Sequence, residues 1–63
     1  MKVVVNGIKD EEEFQRLQSF HTLPRKGEHV DYLDVTWRVS AVIHYCSSPG
    51  GLIEYPQIYL EEI

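Results

Sequence analysis

The residues best suited to chemistry are three histidines (His21, His29 and His44), one cysteine, Cys46, and the serines Ser47 and Ser48 beside Pro49-Gly50. His44 and Cys46 stand two apart, so on a strand both side chains point the same way. Zinc needs three or four such ligands in a tetrahedron, and no paired Cys-x-x-Cys supplies them. A cross-strand pair of His44 with Glu54 and a small half-buried thiol accounts for the same residues. A thiolate pair of Cys46 with histidine fails on distance, because same-face neighbours on a strand stand about 6–7 Å apart. Ser47 and Ser48 lie where hydroxyls bond local backbone. Gly50-Gly51 lacks the Gly-Lys-Ser/Thr ending of a phosphate loop. No catalytic residue, metal or cofactor is expected, and the chain does not read as an enzyme.

Two surface groups remain. Glu11, Glu12 and Glu13 form an acidic run that could imitate nucleic acid, or that simply stabilises the first turn of a helix through its dipole. His29, Arg38 and Tyr59 share the outer face of a sheet in the register derived below. An arginine flanked by an aromatic ring and a histidine suits an interface anchor, since it combines flat apolar area with directed donors. Alternatively it is a self-contained cation–π cluster on a solvated face.

These side chains must be placed by a small set of elements. Val3, Val4 and Val5 indicate a short first strand, and Asn6-Gly7 marks its exit. Asp10 with Glu13 three residues on resembles a capping box. Phe14, Leu17 and then Phe20 or His21 recur at steps of three and four. The spacing predicts a helix over residues 11–19, closed before Pro24. Residues 23–27 form a loop. From Glu28 the period becomes two, with Val35, Trp37, Val39, Ala41, Ile43 and Tyr45 on one face. Residues 47–51 form a turn. A last strand follows, with a bulge at Pro56 absorbing a change of parity.

The register follows from matching faces. Tyr32 opposite Val35 places Val30 against Trp37, His29 against Arg38 and Asp31 against Thr36. The connection is Leu33-Asp34, without the glycine that two-residue hairpin loops prefer. Cys46 opposite Leu52 places Tyr45 against Ile53, Ile43 against Tyr55 and His44 against Glu54. Beyond the bulge, Ile58 falls near Val39, Leu60 near Trp37 and Tyr59 near Arg38. The expected fold is α+β: strand and helix, then a strongly curled three-stranded antiparallel meander. The helix covers a core centred on Trp37 with Val30, Tyr32, Val35, Val39, Ile43, Tyr45, Ile53, Ile58 and Leu60.

The stretch Leu23-Pro24-Arg25-Lys26-Gly27-Glu28-His29-Val30, followed by Trp37-Arg38-Val39-Ser40-Ala41-Val42, resembles small SH3-like barrel proteins of uncharacterised bacterial or phage type. Many of these open a strand with Pro-x-x-Gly-Asp/Glu-x-Val and follow it with an aromatic-x-Val strand. The resemblance covers residues 23–60 and implies a partial barrel. Such barrels host many nucleic-acid and peptide binders, so the resemblance does not choose a function. The basic loops of the RNA-binding members and the clustered aromatics of the proline-peptide binders are missing.

Sixty-three residues make one small domain, residues 1–63, with too little core to be generous with stability. Oligomerisation is a common remedy for so small a core, which leaves a homodimer open. The formal charge of −4 argues against direct nucleic-acid binding, which needs clustered Lys and Arg. No apolar run approaches a membrane span, and the start of the chain does not read as a signal peptide. One cysteine excludes an internal disulfide and suits a reducing, cytoplasmic setting. The expected function is a non-catalytic module that binds a protein through its outer sheet face. The alternative is an acidic inhibitor that mimics nucleic acid and blocks a DNA- or RNA-handling protein.

Overall fold

The structure, a computed structural model, describes residues 1–44 and 55–63. Its elements are β1 (Lys2–Lys9), β2 (Glu12–Ser19), β3 (His29–Tyr32), β4 (Val35–Ile43) and β5 (Gln57–Glu62). They form one curled sheet in the order β2-β1-β5-β4-β3, mixed because β1 and β5 run parallel. The result is a strand-rich half-barrel. The fold is therefore not α+β.

Where the spacing predicts a helix over residues 11–19, the chain makes a hairpin instead. Asp10 and Glu11 take φ of 52° and 67°. Two successive positive φ values define the turn whose twist matches that of the flanking strands. β2 then returns along β1 without interruption, from Lys9 opposite Glu12 to Lys2 opposite Ser19. A nine-residue helix is marginal alone in water, whereas the hairpin bonds eight residues and lays Phe14 over the core. Asn6-Gly7 is not the strand exit. It lies inside β1, with Gly7 directly opposite Phe14. A Cβ on Gly7 would come within 2.6 Å of the Phe14 ring, so the missing side chain is what admits that ring.

The β3–β4 hairpin has the register derived from the sequence: His29 opposite Arg38, Val30 opposite Trp37, Asp31 opposite Thr36 and Tyr32 opposite Val35. Its turn is again built without glycine, with Leu33 and Asp34 at φ of 53° and 62°. Ahead of it, Glu28 N–H donates to Arg25 O with Gly27 at φ 91°, as a type II turn requires. Gly27 N–H donates to Val39 O, and Val39 N–H donates to Glu28 O. That pair of bonds is a glycine-led bulge fastening the loop onto β4.

The β4–β5 register differs from the expectation. Leu60 faces Val39, Glu62 faces Trp37 and Glu61 faces Arg38. A parity change sits at Ser40 in β4, between Val39 and Ala41, while the strand expected ahead of Pro56 lies largely outside the described residues. Ser40 Oγ donates to Tyr59 O at 3.1 Å and closes the bulge. Beyond it Val42 turns inward opposite Ile58, and Ile43 turns outward opposite Gln57 rather than Tyr55. Ile43 thus leaves the core face. The expected turn at residues 47–51 and the pairings of Cys46 with Leu52, Tyr45 with Ile53 and His44 with Glu54 lie outside the described residues.

Val3, Val5, Trp37, Val39, Ile58 and Leu60 are the buried core, drawn from β1, β4 and β5. Phe14, Phe20, Leu23, Val30, Tyr32, Val35 and Val42 pack around it. The curl carries Phe14 across the open side, its ring 5.7 Å from Trp37, edge to face, and 6.1 Å from Tyr32. No helix covers this face among the described residues; the sheet covers it by curling.

Candidate functional site

The core occupies one side of a single sheet, and among the described residues no element packs on the other side. Alternation along each strand assigns its occupants. β1 offers Val4, Asn6 and Ile8, β2 offers Glu13, Gln15 and Leu17, and β5 offers Gln57, Tyr59 and Glu61. β4 adds Thr36, Arg38, Ala41 and Ile43, and β3 adds His29 and Asp31.

His29 and Arg38 stand together as opposite residues on this face. Tyr59 does not stand opposite Arg38. The β5 register puts Tyr59 between Asn6 and Ala41, and Glu61 takes the place beside Arg38. Arg38 Nη2 lies 2.7 Å from Glu61 Oε1, and Nε donates to the same oxygen at 2.8 Å. Both side chains are half exposed, so water screens the pair and it contributes at most about 1 kcal/mol. Tyr59, two residues before Glu61, is a diagonal neighbour of Arg38 on the same face. The three expected residues therefore share a surface, with an acidic residue inserted among them.

An amide ladder runs through the next row. Gln15 Nε2 donates to Asn6 Oδ1 at 2.9 Å. Asn6 Nδ2 donates to Gln57 Oε1 at 3.0 Å and to Ile58 O at 3.2 Å. The sequence does not mark this ladder, since Asn6-Gly7 reads as a turn and Gln15 falls within the helix expected over residues 11–19. The register of β1 with β5 stops at Asn6 and Tyr59, while the strands run on to Lys9 and Glu62. Where they part, a depression of about 580 Å³ opens, bordered by Asn6, Ile8, Glu13, Gln15, Ser40 and Tyr59. Four large apolar side chains lie exposed on this same face: Ile8, Leu17, Ile43 and Tyr59.

The acidic residues group elsewhere. Glu11, Glu12 and Glu13 do not start a helix; Glu11 lies in the turn that joins β1 to β2, and Glu12 and Glu13 open β2. Lys9 Nζ donates to Leu33 O at 2.9 Å and ties this turn to the tip of the β3–β4 hairpin. Since β5 runs parallel to β1, its last residues reach the same end. Asp10, Glu11, Glu12, Glu13, Asp31, Asp34, Glu61 and Glu62 all stand at that end, with Lys9, Arg16 and Arg38 as the nearby cations.

The histidines are dispersed. His21 and His29 border a shallow hollow with Glu28, and His44 lies beside the 22–26 loop. Among the described residues no group of three or more His, Cys, Asp and Glu could hold a metal ion. Among them, too, no helix is long and apolar enough to cross a membrane. No family model, curated protein or solved structure matches this chain.

Proposed function

We propose that this protein is a non-catalytic interaction module that binds a protein partner through the outer face of its sheet. The observation that carries the reading is the placing of Ile8, Leu17, Ile43 and Tyr59, all more than a third exposed, on the one sheet face that no described element covers. Grouped exposed apolar side chains rimmed by polar ones mark association surfaces. Here the Asn6–Gln15–Gln57 ladder runs between these side chains, and the His29–Arg38–Glu61 row borders them. Tyr59 supplies the anchor and the ladder supplies directed donors and acceptors.

The half-barrel belongs, on this proposal, with the small SH3-like barrels. The type II turn at Arg25–Glu28 and the Gly27 bulge support that assignment, because they are the structural content of the Pro-x-x-Gly-Glu stretch. The parallel β1–β5 pair lies partly outside the 23–60 segment that carries the resemblance.

The acidic-mimic reading keeps one specific support, the gathering of eight carboxylates at one end of the sheet. One experiment separates the two readings. Tagged protein is used to capture partners from its native host, and the captured complex is compared among variants. Tyr59→Ala should weaken a genuine outer-face complex by about 1–3 kcal/mol and leave the fold intact. Changing Glu11, Glu12 and Glu13 together to Gln should leave it nearly unaltered. If the triple variant loses the partner while Tyr59→Ala and Arg38→Ala keep it, the acidic end is the binding surface.

A further inference from the structure

Among the described residues β2 is an end strand of the sheet and pairs only with β1. Met1 and Phe20 exchange both backbone bonds, Phe20 N–H to Met1 O at 2.8 Å and the amino terminus to Phe20 O at 2.7 Å. In an antiparallel ladder such doubly bonded pairs recur at every second residue. Gln18, Arg16, Phe14 and Glu12 are therefore the residues that bond inward to β1. The backbone groups of Glu13, Gln15, Leu17 and Ser19 point away from the sheet. This eight-residue edge has no proline and no bulge, and its charged side chains, Glu12, Glu13 and Arg16, leave the stretch from Leu17 to Ser19 without a blunting charge. Leu17, 48% exposed, stands at the middle of the free groups.

We propose that a second copy of this chain adds to this edge, β2 against β2 in antiparallel register, with a two-fold axis at Leu17. Going beyond the outer-face reading, this uses the backbone edge of β2, whose Leu17 and Gln15 side chains also lie on that face. The occupant follows from the side chains. The outward backbone groups allow only registers that pair odd residues with odd residues. An axis at Glu13 sets like charges together, and an axis at Arg16 does the same. An axis at Leu17 sets Leu17 against itself, Gln15 against Ser19, Arg16 against Gln18 and Phe14 against Phe20 of the second copy. Every pair is compatible in polarity, seven residues overlap, and Glu13 extends toward His21. An axis at Phe14 pairs Glu12 with Arg16 but overlaps only five residues, and one at Gln15 sets Glu13 against Leu17 and Phe14 against Arg16.

Sedimentation equilibrium and cysteine pairing test this together. The protein should sediment at twice the 7.4 kDa of one chain. Leu17→Lys should raise the dimer dissociation constant at least tenfold with an unchanged circular dichroism spectrum, while Asp31→Lys on the opposite edge should not. In a Cys46→Ser background, Leu17→Cys should form a covalent dimer on mild oxidation, because doubly bonded opposite residues place their Cα atoms about 5.5 Å apart. Gln15→Cys should not, since an axis at Leu17 separates the two copies of residue 15 by about 13 Å. A monomeric protein overturns the proposal. So does a dimer that Gln15→Cys cross-links and Leu17→Cys does not. Neither result bears on Tyr59 and Arg38, whose variants are read by partner capture.

Discussion

Trp37 and Gly7 show what single residues contribute. Trp37 is fully buried, its Nε1 donates to Tyr32 O at 2.8 Å, and its ring meets the edge of Phe14. Trp37→Ala should remove about 3–5 kcal/mol, which approaches the whole stability of a domain this small. Denaturant unfolding followed by circular dichroism checks it, and a cooperative variant with little lost stability would displace Trp37 from the centre of the core. Gly7 acts by absence. With a Cβ at position 7 the Phe14 ring must move, and it is held by Trp37 and Tyr32. Gly7→Ala should therefore cost about 1–3 kcal/mol, as overpacking does. In a Phe14→Ala background the same substitution should cost markedly less, giving a coupling of roughly 1 kcal/mol or more in a double-mutant cycle. Additive effects would mean that the glycine serves the backbone alone.

The two hairpin turns are the elements on which the sequence reading divided. Strict alternation over residues 29–39 left one face for the core, and the β3–β4 register followed from it because a slip of one residue would expose Trp37. β2 offered no such constraint. As an end strand it buries little, and its inner positions alternate Phe14, Arg16, Gln18 and Phe20, so the strand period is broken by two polar residues. Phe14, Leu17 and Phe20 then satisfied a helical period by coincidence. The decisive feature, a turn with positive φ at both Asp10 and Glu11, carries no Asn-Gly signal. Likewise Ala41, Val42 and Ile43 fit either parity, so the bulge at Ser40 was invisible and the place of Tyr59 shifted with it. The Arg38 and His29 pair was legible; the amide ladder was not, since it depends on β1 meeting β5. Positive φ at Leu33, Asp34 and Glu11 is strained for residues with a Cβ, at about 1–2 kcal/mol for an ordinary side chain. Replacing Leu33-Asp34 by Asn-Gly should raise stability by about 0.5–2 kcal/mol. The same exchange at Asp10-Glu11 should act in the same direction. The urea midpoint should rise with an unaltered slope; a fall would show that the Leu33 side chain contributes more than its backbone strain takes away.

At the scale of the whole molecule, the order β2-β1-β5-β4-β3 places the last strand in the middle of the sheet. The β1–β2 and β3–β4 hairpins form from neighbouring residues, but among the described strands they are joined within the sheet only through β5. Ile58 and Leu60 lie between Val3 and Val5 on one side and Trp37 and Val39 on the other. Outside β5, the two hairpins touch through the Phe14 ring and the Lys9 bond to Leu33 O. An isolated two-stranded hairpin is at best marginally stable in water. A chain ended after residue 55 should therefore show no cooperative unfolding transition, although each hairpin keeps its own turn. Trp37, the single tryptophan, reports the outcome directly. Its emission should shift to that of a hydrated indole on truncation and return when a peptide of residues 55–63 is added in excess. Because contact between the first and last strands closes a long loop, the full chain should fold slowly for its size, in about milliseconds to seconds. Ile58→Ala should slow refolding less than it speeds unfolding if β5 docks after the transition state. A truncated chain that kept Trp37 buried would show that the hairpins cohere through Phe14 alone and that β5 is an addition to a finished core.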